Sequence, residues 1–288
     1  MHLQWYPGHM TKALRQMRED IRIVDMIIEL VDARVPISSR NPDLDELGRD
    51  KARLILLNKA DLADEVVSRY FIDTFSRKGH FVLEVNAKTR HGLGAIAKIV
   101  EQTCAEKRER DERRGINKRP IKAMVVGIPN VGKSTFINSY AGRAAAKTGN
   151  KPGITKGRQW IRLGKDLELL DTPGLLWPKF TDQAVGQKLA MIGTINENIL
   201  DVGELSLMII KFLGKFYPDS LANRYSIEPQ RPIDGELESP SVILAKICES
   251  RHCYLKGGEL HLTRAAAMIA DDFRNGRLGR FSLDRPGE

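Results

Sequence analysis

Gly127-Ile128-Pro129-Asn130-Val131-Gly132-Lys133-Ser134 is the stretch on which the fold of this chain turns. It fits the pattern G-x-x-x-x-G-K-[ST]. It follows the apolar run Ile121–Val126 and precedes Lys133–Tyr140, which reads as a helix. That strand, loop and helix context is what the pattern needs in order to cradle phosphates. Loop N–H groups and the helix N-terminus then converge on the anion. Lys133 sets a charge against the β- and γ-phosphates, and the Ser134 hydroxyl ligates magnesium. Asn130, Val131, Gly132 and Thr135 complete the expected phosphate contacts, and Lys133 also counts as catalytic.

Downstream, Asp171-Thr172-Pro173-Gly174 follows the apolar segment Leu167–Leu170. Asp171 is expected to hold the metal, through water, and the Gly174 N–H to sense the γ-phosphate. In the Gly/Lys-rich stretch between, Thr155 is the candidate switch threonine that closes on magnesium. It is preferred to Thr148 because Pro152-Gly153 marks a turn-forming approach. Upstream, Asn58-Lys59-Ala60-Asp61 resembles the N-K-x-D guanine motif of Ras-like GTPases. There the Asp61 carboxylate would accept from guanine N1–H and the N2 amino group, the Lys59 stem would cover the base, and Asn58 would brace the loop. Asn86-Ala87-Lys88 resembles the S-A-K motif, with Asn in place of Ser. Each tetrapeptide stands at the carboxyl end of an apolar run, where open α/β sheets place their ligands.

These motifs sit within short continuous apolar runs, Ile23–Val31, Arg53–Leu57, Phe81–Val85 and Ile121–Val126, separated by polar segments at helical spacing. The pattern predicts a parallel sheet covered on both faces. Asp64–Arg77 and Gly94–Cys104 read as helices, and Lys107–Pro120 as the frayed end of a helix and a charged connector, about 105–120, joining two halves of one sheet. After Pro178 the texture becomes helical, roughly Asp182–Thr194, Gly203–Phe216, Ser241–Cys253 and Thr263–Asn275. The expected organisation is a nucleotide-binding domain over 1–178 and a helical domain over 179–288.

Composition bounds the rest. With 42% hydrophobic and 29% charged residues and no apolar stretch near the ~20 residues of a membrane span, a soluble protein is expected. The N-terminus has no secretory or organellar pattern, so the expected compartment is the cytoplasm. Cys104, Cys248 and Cys253 are too few for a disulfide framework, and read as buried or idle thiols rather than zinc ligands. The net charge of +9 belongs to the first part, since residues 179–288 carry 14 basic against 15 acidic residues. Arg143–Lys165 holds seven basic residues and no acidic one, which suits a polyanion such as RNA. Lys107–Lys122 alternates acids with bases and fits either a polyanion contact or a solvated face.

In chain order the motifs run base, base, phosphate loop, switch, Asp-x-x-Gly, whereas Ras-like proteins begin with the phosphate loop. The chain therefore resembles circularly permuted GTPases, and the expected fold class is an α/β P-loop GTPase fold with permuted motif order, plus a small all-α C-terminal domain. In this order the segment after Gly174 runs directly into the helical domain, so nucleotide state is expected to be relayed there. Leu175 and Leu176 occupy the place where Ras-like enzymes carry the Gln that orients the attacking water, which predicts slow unaided hydrolysis. Asn130 matches the position that coordinates a monovalent cation in potassium-stimulated GTPases, and is otherwise an ordinary loop Asn. His9, after Pro7-Gly8 and before a helix, is a second candidate, although a lone loop histidine is more often structural.

Trp5-Tyr6-Pro7-Gly8-His9-Met10, Val31-Asp32-Ala33-Arg34-Val35-Pro36 and Ser39-Arg40-Asn41-Pro42, with the permuted order, resemble the ribosome-biogenesis GTPase A, or YlqF-type, family. The resemblance is strong over 1–178 and looser beyond. It implies assembly of the bacterial large ribosomal subunit, contact with rRNA and possibly ribosomal proteins, GTPase stimulation by that particle, and a helical RNA-binding C-terminal domain. It also implies a catalytic role for His9. GTP is then the substrate, Mg2+ the cofactor, K+ an expected activator, and a monomer the expected state. From the residues alone, Asp32, Arg34 and Pro36 read equally well as a loop brace. Arg264, Arg274, Arg277 and Arg280 are candidates for a basic face on the near-neutral tail. The alternative of a different class is a GTP-controlled protein-binding switch with little turnover and no RNA contact.

Overall fold

The computed structural model describes residues 9–116, 119–142, 159–174, 182–195, 201–228 and 238–287, with side chains from residue 15 onward. It divides into two compact units, Met1–Thr181 with Ser282–Glu288, and Asp182–Phe281. The final seven residues, expected with the helical domain, thus pack with the first unit.

In chain order the first unit contains α1 (His9–Ile23), β1 (Met26–Asp32), α2 (Asp43–Leu47), β2 (Ala52–Asn58), α3 (Glu65–Arg77), β3 (Phe81–Val85), α4 (Ile96–Thr103), α5 (Ala105–Arg113), β4 (Ile121–Val126), α6 (Lys133–Ala141), β5 (Gln159–Leu163) and β6 (Leu167–Asp171). The sheet order is β3-β2-β1-β4-β6-β5. All pairings are parallel except β5 with β6, a hairpin at the edge. β1 to β3 and β4 to β6 are two consecutive runs of chain, and they meet along one seam where Met26 to Glu29 pair with Ala123 to Val126. Every residue of β1 is buried, as a central strand covered on both faces requires. On one face Met17 and Ile21 of α1 pack with Ile27, Met124 and Leu170, while Val67, Phe71 and Phe75 of α3 pack with Val31, Ile55 and Leu57. Cys104, just after α4, touches Met26 on the other.

Local chemistry sets the element boundaries. Asp64 caps α3 by accepting from the Val66 and Val67 amides at 2.9 and 3.3 Å, which fixes where that helix begins. The expected connector at about 105–120 is largely the helix α5. Its charges support it locally, with Arg113 and Glu109 one turn apart at 3.3 Å. Lys107 and Arg119 both reach back to Asp25, at 3.2 and 2.7 Å, pinning the crossover to the start of β1.

The second unit contains α7 (Gln183–Met191), α8 (Val202–Phe216), α9 (Pro218–Tyr225), α10 (Pro240–Ser250) and α11 (Leu262–Arg274). The four expected helices are present. The sequence reading does not anticipate α9, where Pro218 begins the helix rather than ending one. Phe212, Phe273 and Phe281 form the aromatic centre, Phe273 stacking on Phe281 with centroids 4.0 Å apart. Asp272, nearly inaccessible, accepts from Arg224 at 2.7 Å, Arg277 at 2.8 Å and the Tyr225 hydroxyl at 3.1 Å. Arg274 donates to the Ala190 and Met191 carbonyls. Two of the four arginines expected on a basic face are therefore engaged in holding the unit together. Cys248 and Cys253 are buried thiols that donate to backbone carbonyls. No described helix is long and apolar enough to cross a membrane.

Candidate nucleotide site

The parallel strands bring Asp32, Asn58, Val85, Val126 and Asp171 to the same end of the sheet, and each leads into a motif. Asn58 ties them together. Its side-chain amide donates to the Val131 carbonyl at 2.8 Å, and its carbonyl oxygen accepts from the Ala87 amide at 2.9 Å. One buried side chain thus connects the base motif, the phosphate loop and the Asn86-Ala87-Lys88 loop across the seam. Gly132 accommodates this: its φ is +103°, and a Cβ there would collide with the Asn58 amide.

Lys59 occupies the left-handed region at φ 59°, which turns its side chain back toward the phosphate loop. Its ammonium donates to the Asn130 carbonyl at 2.9 Å and pairs with Asp32 at 3.0 Å. Asp32 is fully buried and also receives Arg34 through Nε at 2.9 Å and Nη2 at 2.8 Å. Burial alone would raise the Asp32 pKa, but the charges and hydrogen bonds of Arg34 and Lys59 outweigh it and hold the carboxyl below its ordinary value. The Asp32–Arg34 pair is thus a brace for the lysine of the base motif. Asp61 stands exposed just beyond, in the short turn Ala60–Leu62. Asn86 takes the part of the expected serine in shaping its loop, its side-chain oxygen accepting from the Lys88 and Thr89 amides at 2.9 and 3.0 Å. Ala87 is buried and Lys88 exposed.

On the phosphate side, Gly132 caps α6 with no side chain bonded to the first amides, and Lys133, Ser134 and Thr135 form its first turn. Lys133 is buried at 7% exposure and donates to the Gly127 and Ile128 carbonyls at 3.0 and 3.1 Å, within its own loop. Burial lowers its pKa to about 8, with Asp171 opposing the shift. Asp171 is buried at the end of β6. Thr172 fastens the following turn by donating to the Val125 carbonyl at 2.7 Å. A Cβ on Gly174 would lie 2.9 Å from the Lys133 ammonium nitrogen and from Pro129, so only glycine lets this turn approach the loop so closely. A buried ammonium resting on neutral carbonyls, beside a helix N-terminus and a turn pressed against it, fits a polyphosphate. Ser134 and Asp171 offer hard oxygen donors, which fit magnesium.

Asn130, with φ 60°, uses its backbone carbonyl for Lys59. His9 begins α1, but its side chain lies outside the described residues, as do Thr155, Thr148, Leu175 and Leu176. In the sequence Asn58 reads as a loop brace; its link to the phosphate loop spans 73 residues to Val131, beyond the reach of any local pattern.

The comparisons agree with this geometry. A family model described as a 50S ribosome-binding GTPase matches residues 122–229. Ribosome biogenesis GTPase A of Bacillus cereus is 42% identical, the alignment covering 100% of this chain and 95% of that protein. The Thermotoga maritima protein of the same name is 31% identical, with 99% and 95% covered. The crystal structure of GNP-bound YlqF from T. maritima matches with a TM-score of 0.64 at 25% identity, covering 96% of this chain and 99% of that one. Identity at that level along the full length, over a permuted sheet whose strand ends carry both guanine and phosphate motifs, places the chain in the ribosome biogenesis GTPase A family.

Proposed function

We propose that this GTPase serves assembly of the large ribosomal subunit, hydrolysing GTP slowly by itself and faster on the particle, and that nucleotide state is relayed to the helical unit. The observation that carries the GTP reading is Asn58, which ties the base loop to the phosphate loop so that one molecule must satisfy both. The assembly reading is supported by the relatives' names and the 50S-binding description of the family model. Support for the relay comes from chain order: Gly174 lies against Lys133, and eight residues later Asp182 opens the second unit.

Within the site, Asp61 reads guanine, Lys59 covers the base, Asn86, Ala87 and Lys88 form the loop facing guanine O6, and Asn130 to Thr135 hold the phosphates with Lys133. Ser134, Thr155 and Asp171 would hold Mg2+, which would supply positive charge against the negative charge of the phosphates. Thr155 and Gly174 respond to the γ-phosphate, His9 aids the attack on it, and Asn130 takes K+. rRNA, with ribosomal proteins, is the contact, in the cytoplasm, and the chain acts as a monomer. The test is co-sedimentation with purified large subunits. Binding in the presence of a non-hydrolysable GTP analogue, weakened by GDP and by salt, together with turnover raised by the subunits, is the expected result. Equal sedimentation in both nucleotide states and no stimulation overturns the assembly reading. Equal turnover in potassium and sodium removes K+. A His9→Ala protein with wild-type single-turnover hydrolysis removes His9.

A further inference from the structure

At the opposite end of the sheet, where β1, β2, β3 and β4 begin, lies a cleft of about 720 Å3 lined by eight Lys and Arg side chains against three acidic ones. Strands of this length separate it from the nucleotide motifs by roughly 20 Å. Its charges fall into two sets. Asp25 is already fully engaged, by Arg119 at 2.7 and 2.8 Å, Lys107 at 3.2 Å and the Lys122 amide at 3.0 Å. Arg53 is likewise committed, to Asp45 and Glu29. The other set is Arg22, Arg49, Lys78 and Arg110, all exposed. No described carboxylate forms an ion pair with any of them, and only the exposed Asp50 and Glu106 oppose them on the cleft wall. Lys51, on the floor, donates to the Val24 carbonyl at 2.8 Å. Its pKa is lowered by burial first and by Lys107 as well, while Asp25 and Asp50 oppose the shift. His80 is pushed down by burial, then by Arg53 and Arg40. Burial is the main cause of both shifts; it is the four exposed cations, lining the cleft without a carboxylate partner among the described residues, that suit an anion.

We infer that this cleft is a second, nucleotide-independent contact surface, binding the phosphodiester backbone of RNA through Arg22, Arg49, Lys78 and Arg110. The four cations stand on four separate parts of the chain: the end of α1, the turn before β2, the turn before β3, and α5. Charges spread in this way suit an extended polyanion tracked along its backbone, rather than one phosphate gripped at a point. α5 belongs to the charged stretch whose sequence left a polyanion contact and a solvated face equally open. Its Lys107 locks the cleft through Asp25 while Arg110 faces out. The choice of RNA as the polyanion rests on the assembly reading above; the cleft itself does not.

The test uses the full chain with Arg49→Gln, Lys78→Gln and Arg110→Gln combined, and a fluorescein-labelled 20-base-pair RNA duplex titrated between 50 and 200 mM KCl. The expected result is an affinity loss of at least about tenfold and a log K against log salt slope smaller by about 2 to 3, with GTP turnover in the absence of RNA unchanged. A control chain with Arg15→Gln, Arg69→Gln and Lys98→Gln removes three exposed charges elsewhere and keeps the wild-type slope. Absence of RNA binding by the wild-type chain, an unchanged slope in the cleft variant, or an equal loss in the control overturns the inference. So does displacement of RNA by micromolar inorganic pyrophosphate, which marks a site for small phosphates. Free RNA keeps the two readings apart: loss of subunit co-sedimentation leaves the cleft standing, and an unchanged salt slope leaves the assembly role standing.

Discussion

The two halves of the sheet that meet at the seam between β1 and β4 hold their buried charges in opposite ways. On the base half, Arg34 and Lys59 share the one carboxylate of Asp32, which opposes the lowering of the Lys59 pKa by burial, while Asn58 accepts from the neighbouring loop and Asn86 from its own. On the phosphate half, Lys133 is buried against neutral carbonyls, and Asp171 offsets only part of the cost. The difference teaches that the guanine side is complete once the chain has folded, whereas the phosphate side is completed by its ligand. Preorganised groups read identity; an under-compensated cation gains most from an arriving anion.

The sharpest break in that comparison is Lys133→Met. GTP hydrolysis should fall on the order of 10^3-fold, about 4 kcal/mol of lost charge stabilisation, in single-turnover assays. The ligand-free protein should nevertheless gain stability, because a lysine whose folded pKa is about 8 rather than 10.5 carries a penalty of about 3 kcal/mol at neutral pH. The sign follows from proton counts. Between pH 8 and about 10.5 the unfolded chain binds more protons at this group, so wild-type stability should rise with pH across that window. Denaturant melts of Lys133→Met should lack that rise. An identical pH profile in both proteins would mean that the buried ammonium carries no penalty.

Asp32→Asn strikes the other half instead, leaving the buried Arg34 and the half-buried Lys59 without their carboxylate. A loss of about 3 kcal/mol at pH 7 is expected from urea melts. Because the folded Asp32 pKa lies below its ordinary value, the wild-type advantage is present above the ordinary carboxylate pKa and shrinks as the pH falls through the acid range. Asp61→Ala touches only the exposed carboxylate and should leave stability unchanged. It should weaken GTP about 100-fold, through two charge-assisted hydrogen bonds, and abolish the preference over ATP in a competition assay. Retained preference would move guanine reading to another residue.

Much of this was legible in the sequence because it is local. Apolar runs marked five of the six strands, and Phe81–Val85 and Ile121–Val126 kept their expected bounds. The phosphate loop declared itself through two glycines at fixed spacing before a lysine. What the sequence did not disclose is pairing across long chain separations. The Asp32 brace is one of two readings of the sequence, and its partner Lys59 lies 27 residues further along the chain. Nor does periodicity reveal that Phe281 ends one unit and Ser282 begins the return to the other, since Ser282-Leu283-Asp284-Arg285 has no repeat long enough to show a face.

That return supplies the mildest test and the one that reaches furthest along the chain. Asp284 accepts from the Ile37 amide at 2.7 Å, the Ser38 amide at 2.8 Å and the Ser38 hydroxyl at 2.6 Å. The Leu283 amide donates to the carbonyl of Arg34 at 2.7 Å, the same residue that braces Lys59 through Asp32. The chain after α11 therefore fastens to the base half, while the chain before α7 leaves from Gly174 on the phosphate half. Asp284→Ala should cost about 1 to 2 kcal/mol and raise hydrogen exchange at the Ile37 and Ser38 amides about tenfold, because these two amides and the Ser38 hydroxyl lose a charged acceptor. GTP affinity should change by less than about threefold, since the Asp32 brace stands without the tail and one hydrogen-bonded contact at its edge is a minor part of it. Unchanged exchange at those two amides would show that the loop holds itself. A collapse of GTP affinity as large as that of Asp61→Ala would show instead that the base half is not complete on its own, and that it draws its order from the last residues of the chain.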